Sequence, residues 1–171
     1  NFRRQWDNSR SMDGLDVFTQ RAMGILTSSQ LFDALDITKE DEKTRARYGY
    51  YDPKQAQGDG APRVPQNLLL ARRLVEAGVR VVTINYSFWD WHGQNFKNAK
   101  KELPIFDQAV SALVEDLHER GLADDVLLVV MGEMSHTPRL SNFQGQPGRE
   151  HWAQTMSVLM SGGRMRMGQV V

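Results

Sequence analysis

The predicted fold depends on the stretch VRVVTINY at positions 79–86, in which most residues are β-branched or aromatic. Such residues favour a strand, and a nearly continuous apolar run is typical of a strand buried on both faces of a sheet. The preceding residues, 65–77, have helical apolar spacing, with Pro65 at the start and Gly78 just after the end. Helices prefer both placements, so the sequence predicts a helix followed directly by a buried strand.

The residues after this stretch continue the alternation of helix and strand. A short helix is predicted at 95–102 and a long amphipathic helix at 104–120, followed by a buried strand at 126–131 and another strand at 157–161. Strand–helix–strand order implies right-handed crossovers and a mostly parallel sheet. We therefore expect an α/β fold.

The N-terminal part of the chain has a different pattern. Residues 1–13 are polar and predicted to be extended, whereas 15–26 carry a helical apolar stripe. A stop and an N-cap at 27–29 predict a second helix, and the acidic start at 38–41 predicts a third. Residues 48–65 are rich in Gly, Pro and Asp and predict a loop.

Composition excludes several classes of protein. Lys plus Arg and Asp plus Glu are both 21, so the formal net charge of the 171 residues is zero, which argues against nucleic acid as a partner. No apolar run reaches the ~20 residues of a transmembrane segment. Cysteine is absent, which excludes disulfides and thiolate metal sites.

The ends of the sequence predict a partial domain. The chain starts at Asn1 without a signal-peptide pattern and stops inside an apparent strand. We expect residues 1–171 to be the C-terminal part of one domain. Within it, 1–64 would be a helical and loop insertion and 65–171 the α/β portion.

Three of the four histidines lie in short polar segments after predicted strands. The segments are 89–93, 132–138 and 148–152, and each offers a histidine, a carboxylate or both. Ligands bind in open α/β sheets at loops beyond the carboxyl ends of strands. Imidazoles and carboxylates gathered there suit a zinc-like or manganese-like ion, which predicts a metal-assisted hydrolase.

Each candidate residue also has an ordinary structural interpretation. Asp90 and His92, at positions i and i+2, could project to one side of an extended segment and reach one ion, or could be a surface Asp and a packed His. Glu133 suits metal binding or acid–base chemistry, but a strand-end carboxylate can also accept backbone N–H groups. His136 has three possible interpretations: a metal ligand, a contact to a substrate phosphate or sulfate, or a loop histidine without a function. His151, taken alone, is more often structural.

His118 is the exception among the histidines. It lies in the last predicted turn of the 104–120 helix, beside Glu119 and Arg120. Helix C-termini favour cationic side chains, so no chemistry is assigned to it.

Five stretches resemble, in the same order, a bacterial sulfatase-like family catalogued as domain-of-unknown-function family 1501, within the alkaline phosphatase superfamily. The stretches are 67–79, 89–96, 131–138, 148–152 and 157–170. The resemblance implies a three-layer αβα sandwich around a mostly parallel sheet, of which this chain would hold a part. It also implies hydrolysis of phosphate or sulfate esters at a one- or two-metal site.

The resemblance assigns roles to particular residues. Metal ligands are implied at Asp90, His92, Glu133 and His151, for divalent ions such as zinc, calcium, magnesium or manganese. His136 is expected to contact the substrate anion or to protonate the leaving group. The superfamily's nucleophile comes from an earlier strand, so we expect it to lie outside this chain and residues 1–171 alone to be inactive.

The sequence also departs from the family pattern. Trp91 replaces a small or hydroxyl residue between Asp and His, Ser135-His136 replaces Gly-Arg, and Glu150 replaces Asp. Two alternatives therefore stay open: a non-catalytic structural or assembly protein that retains the fold, and a carbohydrate- or protein-binding module that uses its tryptophans.

The resemblance also carries expectations about partners and location. The substrate would be a small-molecule or glycan phosphate or sulfate ester. Neither nucleic acid nor a transmembrane segment is expected, and assembly with other chains is open. The family resemblance implies a periplasmic or secreted protein.

Overall fold

A computed structural model describes residues 17–21, 24, 28–55 and 60–170. The expected extended segment at 1–13 lies outside the described residues, and of the helix predicted at 15–26 the described residues 17–21 and Gly24 are helical. The longer helices are α1 (Ser29–Leu35), α2 (Glu42–Tyr48), α3 (Gln66–Glu76) and α4 (Asn95–Glu119), and short 3-10 helices span Ile37–Lys39 and Pro53–Gln55. The strands are β1 (Leu127–Met131), β2 (Ser135–His136), β3 (Ser141–Phe143), β4 (Gln146–Gly148), β5 (His151–Trp152) and β6 (Val158–Gly162).

Two helices begin at side-chain caps: the first is the predicted cap at 27–29, and the second is Asp41, which the sequence predicted only as part of an acidic helix start. The Ser28 hydroxyl accepts a hydrogen bond from the Leu31 N–H at 3.1 Å, which starts α1. The Asp41 carboxylate accepts from the Thr44 N–H at 2.8 Å, which starts α2. Each cap satisfies one of the backbone donors that a helix leaves unpaired at its first turn.

Helix α4 joins two segments that the sequence predicted as separate helices. It runs for 25 residues with Pro104 inside it. Proline removes one backbone hydrogen bond from a helix interior. Pro104 is exposed, so water can reach the Lys100 carbonyl that loses its donor. Buried residues lie on both sides of the proline, Glu102 before it and Ala109, Ala112 and Leu113 after it, so tertiary contacts hold the helix in place along its length.

The apolar core lies between α2, α3 and α4. Its fully buried members are Tyr48, Leu68, Leu69, Ala109, Ala112, Leu113 and Leu117. The predicted helix at 65–77 is confirmed as α3, and it contributes Leu68 and Leu69 to this core. The prediction of a helical stripe along residues 104–120 is also confirmed, because the buried alanines and leucines of α4 face α2 and α3.

The prediction of a three-layer αβα sandwich with a mostly parallel sheet is wrong. Within the described residues, the strands form three two-stranded antiparallel pairs, β1–β6, β2–β5 and β3–β4. Parallel strands need a long crossover, usually a helix. The chain between β1 and β6 instead folds back on itself, so the two strands meet antiparallel.

The three strand pairs are nested along one interrupted ribbon. Leu127 pairs with Gly162, Ser135 with Trp152, and Ser141 with Gly148. At the tip, Gln144 and Gly145 both have positive φ, 50° and 79°. Positive φ at both central residues is what a tight two-residue hairpin turn requires, so this turn sets the register of the innermost pair.

The stretch that suggested a buried central strand is extended but unpaired. Residues 79–86 carry no strand assignment, and their side chains alternate between half-buried and exposed. Their β-branched composition favours extended backbone, yet a strand also needs a neighbour to accept its hydrogen bonds. Among the described residues β1 and β6 pair with each other and leave this stretch without a strand partner.

Candidate metal centre

The β2–β5 pair brings two of the histidines together. His136 lies directly opposite His151 in the antiparallel register. Opposite residues on paired strands place their side chains side by side, and the two imidazole rings meet edge to face with centroids 5.7 Å apart. The nested ribbon therefore gathers residues that are 15 positions apart in the sequence.

Two glycines let the segment at 89–93 lie against the same ribbon. A Cβ atom at Gly148 would overlap the carbonyl oxygen of His92, and one at Gly93 would lie 3.1 Å from the Gln146 Cβ. Only glycine at position 148 permits such a close approach of two backbones. The β3–β4 hairpin thus places His92 next to the β2–β5 histidines.

Packing of the tryptophans fixes the other side of this segment. The Trp89 and Trp91 rings lie 5.2 Å apart, and Trp89 also packs edge-on against Phe106 of α4 at 5.4 Å. The Trp89 indole N–H donates to the Tyr86 carbonyl at 2.6 Å. Trp91 is 7% exposed, so its indole anchors Asp90 and His92 to the helical body and is not a surface for stacking ligands.

Asp90, His92 and His151 form one cluster around a single carboxylate oxygen. The Oδ1 atom of Asp90 lies 2.8 Å from His92 Nε2 and 2.6 Å from His151 Nε2. One ligand atom from each of the three residues falls within 4.8 Å of the others. Part of each side chain remains open to solvent, so the cluster is accessible from outside.

The far nitrogen of His92 also meets a carboxylate. His92 Nδ1 lies 3.0 Å from Glu150 Oε2. A neutral imidazole carries one proton, so it can donate to only one of the two acids that it faces. When His92 donates to one of these acids, its other ring nitrogen faces the second acid with a lone pair, and a cation between those two atoms would satisfy both.

The surrounding histidines stabilise the charged form of Asp90. The hydrogen bond from His151 lowers the pKa of the Asp90 carboxyl below its usual range, and nearby His92 and His136 act in the same direction. A carboxyl that stays ionised in the neutral range is ready to serve as a metal ligand.

The donor set fits a divalent ion. Two imidazole nitrogens and one carboxylate oxygen are common ligands of zinc and suit manganese as well. Tetrahedral zinc, with bonds of about 2.0–2.1 Å, spaces its ligand atoms by about 3.3 Å. Asp90 would therefore have to retreat from each imidazole by roughly half an ångström, a small movement for an exposed side chain.

The other two predicted site residues stand apart from this cluster. Glu133 lies in the turn between β1 and β2, is exposed, and is not within the three-residue group. His136 is adjacent through His151, and its Nε2 atom is buried without a hydrogen-bond partner in the described structure. A ring nitrogen without a partner beside the cluster can accept a hydrogen bond from a ligand or, in the other tautomer, donate one to it.

Two residues at the site were not among the predicted functional residues. Glu150 was noted only as a replacement in the family pattern, although its carboxylate contacts His92. Gly148 received no role from the sequence, although it admits the His92 backbone. The sequence held a signal for Glu150 in its position beside His151, but the signal for Gly148 appears only when the ribbon is folded.

A shallow depression lies beside the segment that carries His92. It is lined by Gln94, Phe96, Lys97, Gln146 and Pro147. The Arg149 guanidinium lies over the Phe96 ring, 5.5 Å from its centroid. Lys97 is the one ionisable residue of this lining.

The fold and the cluster together define a small helical body that carries a candidate histidine–carboxylate metal centre on a β-ribbon. The profile of the family described as protein of unknown function (DUF1501) matches residues 2–171, and the chain belongs to that family. No curated protein and no solved structure matches the chain. None of the described helices is long and apolar enough to cross a membrane.

Proposed function

We propose that the Asp90–His92–His151 cluster is part of a divalent-metal site that serves the hydrolysis of phosphate or sulfate esters. The observation that carries this proposal is the convergence of two imidazole nitrogens on one carboxylate oxygen, Asp90 Oδ1, at 2.8 and 2.6 Å. The sulfatase-like relationship within the alkaline phosphatase superfamily belongs to the same proposal. It supplies the reaction class, whereas the cluster supplies the ligands.

A cation would complement the charges and lone pairs that the cluster brings together. His92 faces a carboxylate on each side, and His151 adds a second nitrogen to the same Asp90 oxygen. A divalent ion between these atoms would let each of them contribute a lone pair. Glu133 remains a proposed further ligand, on the turn that follows β1.

The neighbouring residues suit an anionic ester. When bound, a divalent ion polarises the ester oxygen and stabilises the attacking and leaving oxygens. His136 would hydrogen-bond the ester through its unpartnered Nε2, or protonate the leaving oxygen. Lys97 and Arg149, beside the cluster, would attract the negative charge of a phosphate or sulfate group.

Metal binding by wild type and two histidine variants tests the proposal. Isothermal titration calorimetry with zinc and with manganese should give saturable binding for wild type. His92→Ala should weaken it by at least about 10–100-fold, the typical cost of losing even an outer partner of a metal ligand. His118→Ala is the matched control, because His118 lies near the end of α4 outside the cluster, and it should bind as wild type does. Equal affinities for wild type and His92→Ala would refute the site.

Turnover by residues 1–171 tests whether the nucleophile lies within this chain. Aryl phosphate and aryl sulfate should be tested with residues 1–171 and added metal. No turnover is expected from these residues alone, because hydrolysis through a covalent intermediate needs a nucleophile and none is assigned here. Metal-dependent turnover that disappears in Ser135→Ala would show that the nucleophile is Ser135 and that this assignment is wrong.

A further inference from the structure

We infer that Glu150 is a positioning residue for the proposed metal centre: it holds His92 with its proton on Nδ1, so that Nε2 is free to bind the ion. This inference rests on the proposed function and adds a residue that the sequence did not single out. The geometry behind it is the 3.0 Å contact between Glu150 Oε2 and His92 Nδ1.

The two ring nitrogens of His92 compete for one proton. Nδ1 faces Glu150, and Nε2 faces Asp90 at 2.8 Å. The hydrogen bond made by one nitrogen of a histidine decides whether the other is a donor or a lone pair. In the inferred arrangement Glu150 accepts from Nδ1–H, which leaves the Nε2 lone pair facing Asp90 and His151, where the ion would lie.

Glu150 cannot itself be a ligand in this arrangement. Its carboxylate lies at the Nδ1 edge of the His92 ring, whereas Asp90 and His151 lie at the Nε2 edge. A metal on Nε2 is therefore separated from Glu150 by the imidazole ring. This is the relation of an outer carboxylate to a metal-bound histidine, which fixes ring orientation and raises ligand basicity.

The backbone of Glu150 is anchored on the ribbon. Its carbonyl oxygen accepts from the Thr137 N–H at 2.8 Å, and its own N–H donates to the Thr137 hydroxyl at 3.3 Å. The next residue, His151, contacts Asp90 directly. Residues 150–151 thus have two roles in the proposed site. His151 is a ligand, and Glu150 orients the ligand His92 on the segment 89–93.

Nitrogen NMR of the metal-free protein at alkaline pH tests whether Glu150 sets the tautomer of His92, and it requires no metal. Wild type should show His92 in the Nδ1–H tautomer. In Glu150→Ala, Asp90 is the acceptor that remains for this ring among the described residues, so the proton should move to Nε2. Glu150→Gln keeps an acceptor oxygen and should retain the wild-type tautomer. An unchanged tautomer in Glu150→Ala would overturn the inference.

Zinc affinity gives the second readout. Glu150→Ala should lose about 10–100-fold, as outer carboxylates of metal-bound histidines do, and Glu150→Gln should lose less. Asp124→Asn removes an exposed carboxylate outside the cluster and should leave the affinity unchanged. If wild type binds zinc and Glu150→Ala binds it equally well, Glu150 has no positioning role. If wild type binds no zinc while the tautomer still depends on Glu150, the proposed function fails and the local hold on His92 stands.

Discussion

The Arg72 cluster in the helical body and the His92 cluster on the ribbon are both dense groups of ionisable side chains, but they are built differently. The side chain of Arg72 is fully buried and meets Asp116 at 2.9 Å, Glu40 at 3.0 Å and Glu76 at 2.6 Å. Arg120 adds a second guanidinium to the same three acids. In the His92 cluster, by contrast, the carboxylates of Asp90 and Glu150 face the imidazoles of His92 and His151.

The difference suits a structural role for the Arg72 cluster and the proposed metal-binding role for the His92 cluster. In the Arg72 cluster each acid has a cation supplied by the chain, and burial on α2, α3 and α4 makes the network a structural element. The His92 cluster is partly open to solvent and lacks a fixed cation of its own. We therefore assign stability to the first cluster and ligand binding to the second.

Breaking the Arg72 cluster should have the largest effect on stability. Arg72→Met leaves Asp116, Glu40 and Glu76 without their central partner, and removing one member of a buried ion pair typically costs 3–5 kcal/mol. We expect a loss of about that size in the free energy of unfolding, measured by urea denaturation. Arg164→Met is the control, because the Arg164 side chain is 76% exposed and such pairs contribute about 0–1 kcal/mol. A loss below about 1 kcal/mol for Arg72→Met would show that the network is not structural.

Truncating the core next to this cluster should cost slightly less. Leu69 is fully buried between the helices, and Leu→Ala at such sites costs about 2–5 kcal/mol through lost transfer energy and the cavity that remains. Leu127→Ala, in β1 where the side chain is 47% exposed, serves as the comparison and should change the free energy of unfolding much less. Equal losses would mean that the ribbon is packed as tightly as the helical body.

A substitution at the ribbon should affect the His92 cluster instead. Gly148→Ala forces the β3–β4 hairpin away from the His92 carbonyl, so His92 should shift relative to His151. We expect zinc affinity to fall on the order of tenfold or more, by analogy with the loss of an outer partner. In Gly132→Ala the new Cβ would be 3.6 Å from its nearest neighbour, an ordinary contact, so affinity should be unchanged. Wild-type affinity in Gly148→Ala would contradict the role given to this close approach.

Acid should act on the Arg72 cluster through Asp116. Burial raises the pKa of its carboxyl, but hydrogen bonds from Arg120 and Tyr48 and the charge of Arg72 outweigh burial and lower it. A carboxyl with a lowered folded-state pKa adds stability that is present above the unfolded value, about 3.9, and is lost as the pH falls through the folded value. The free energy of unfolding should therefore decline below about pH 4, and Asp116→Asn should flatten that slope. An equally steep slope in Asp116→Asn would assign the acid sensitivity to other carboxyls.

Local signals in the sequence predicted individual elements well. Ser28 and Asp41 cap the helices expected there, α3 lies within the predicted range, and β1 and β6 lie where strands were expected. These features depend on residues close together in the chain, where capping and apolar spacing are sufficient. Of the four residues expected to group, Asp90, His92 and His151 lie together and Glu133 does not. The antiparallel ribbon brings the three together, whereas the sequence predicted a parallel sheet.

Strand pairing could not be predicted from the same local signals. A β-branched stretch such as 79–86 favours extended backbone, but which strand lies beside it depends on distant residues. The antiparallel ribbon is set by the turn at Gln144 and Gly145, whose positive φ values have a weak signature in a Gln-Gly pair. The contact between Glu150 and His92 likewise joins residues 58 positions apart, and only the folded ribbon shows it.

X-ray absorption at the zinc edge of the zinc-loaded protein tests most directly whether the ribbon holds a metal centre. Wild type should show nitrogen and oxygen neighbours at about 2.0–2.1 Å, with outer-shell scattering from two imidazoles. His92→Ala should lose one imidazole, and His118→Ala should give the wild-type spectrum. Zinc that dialysis removes completely from wild type, or a His92→Ala spectrum identical to that of wild type, would contradict the assignment.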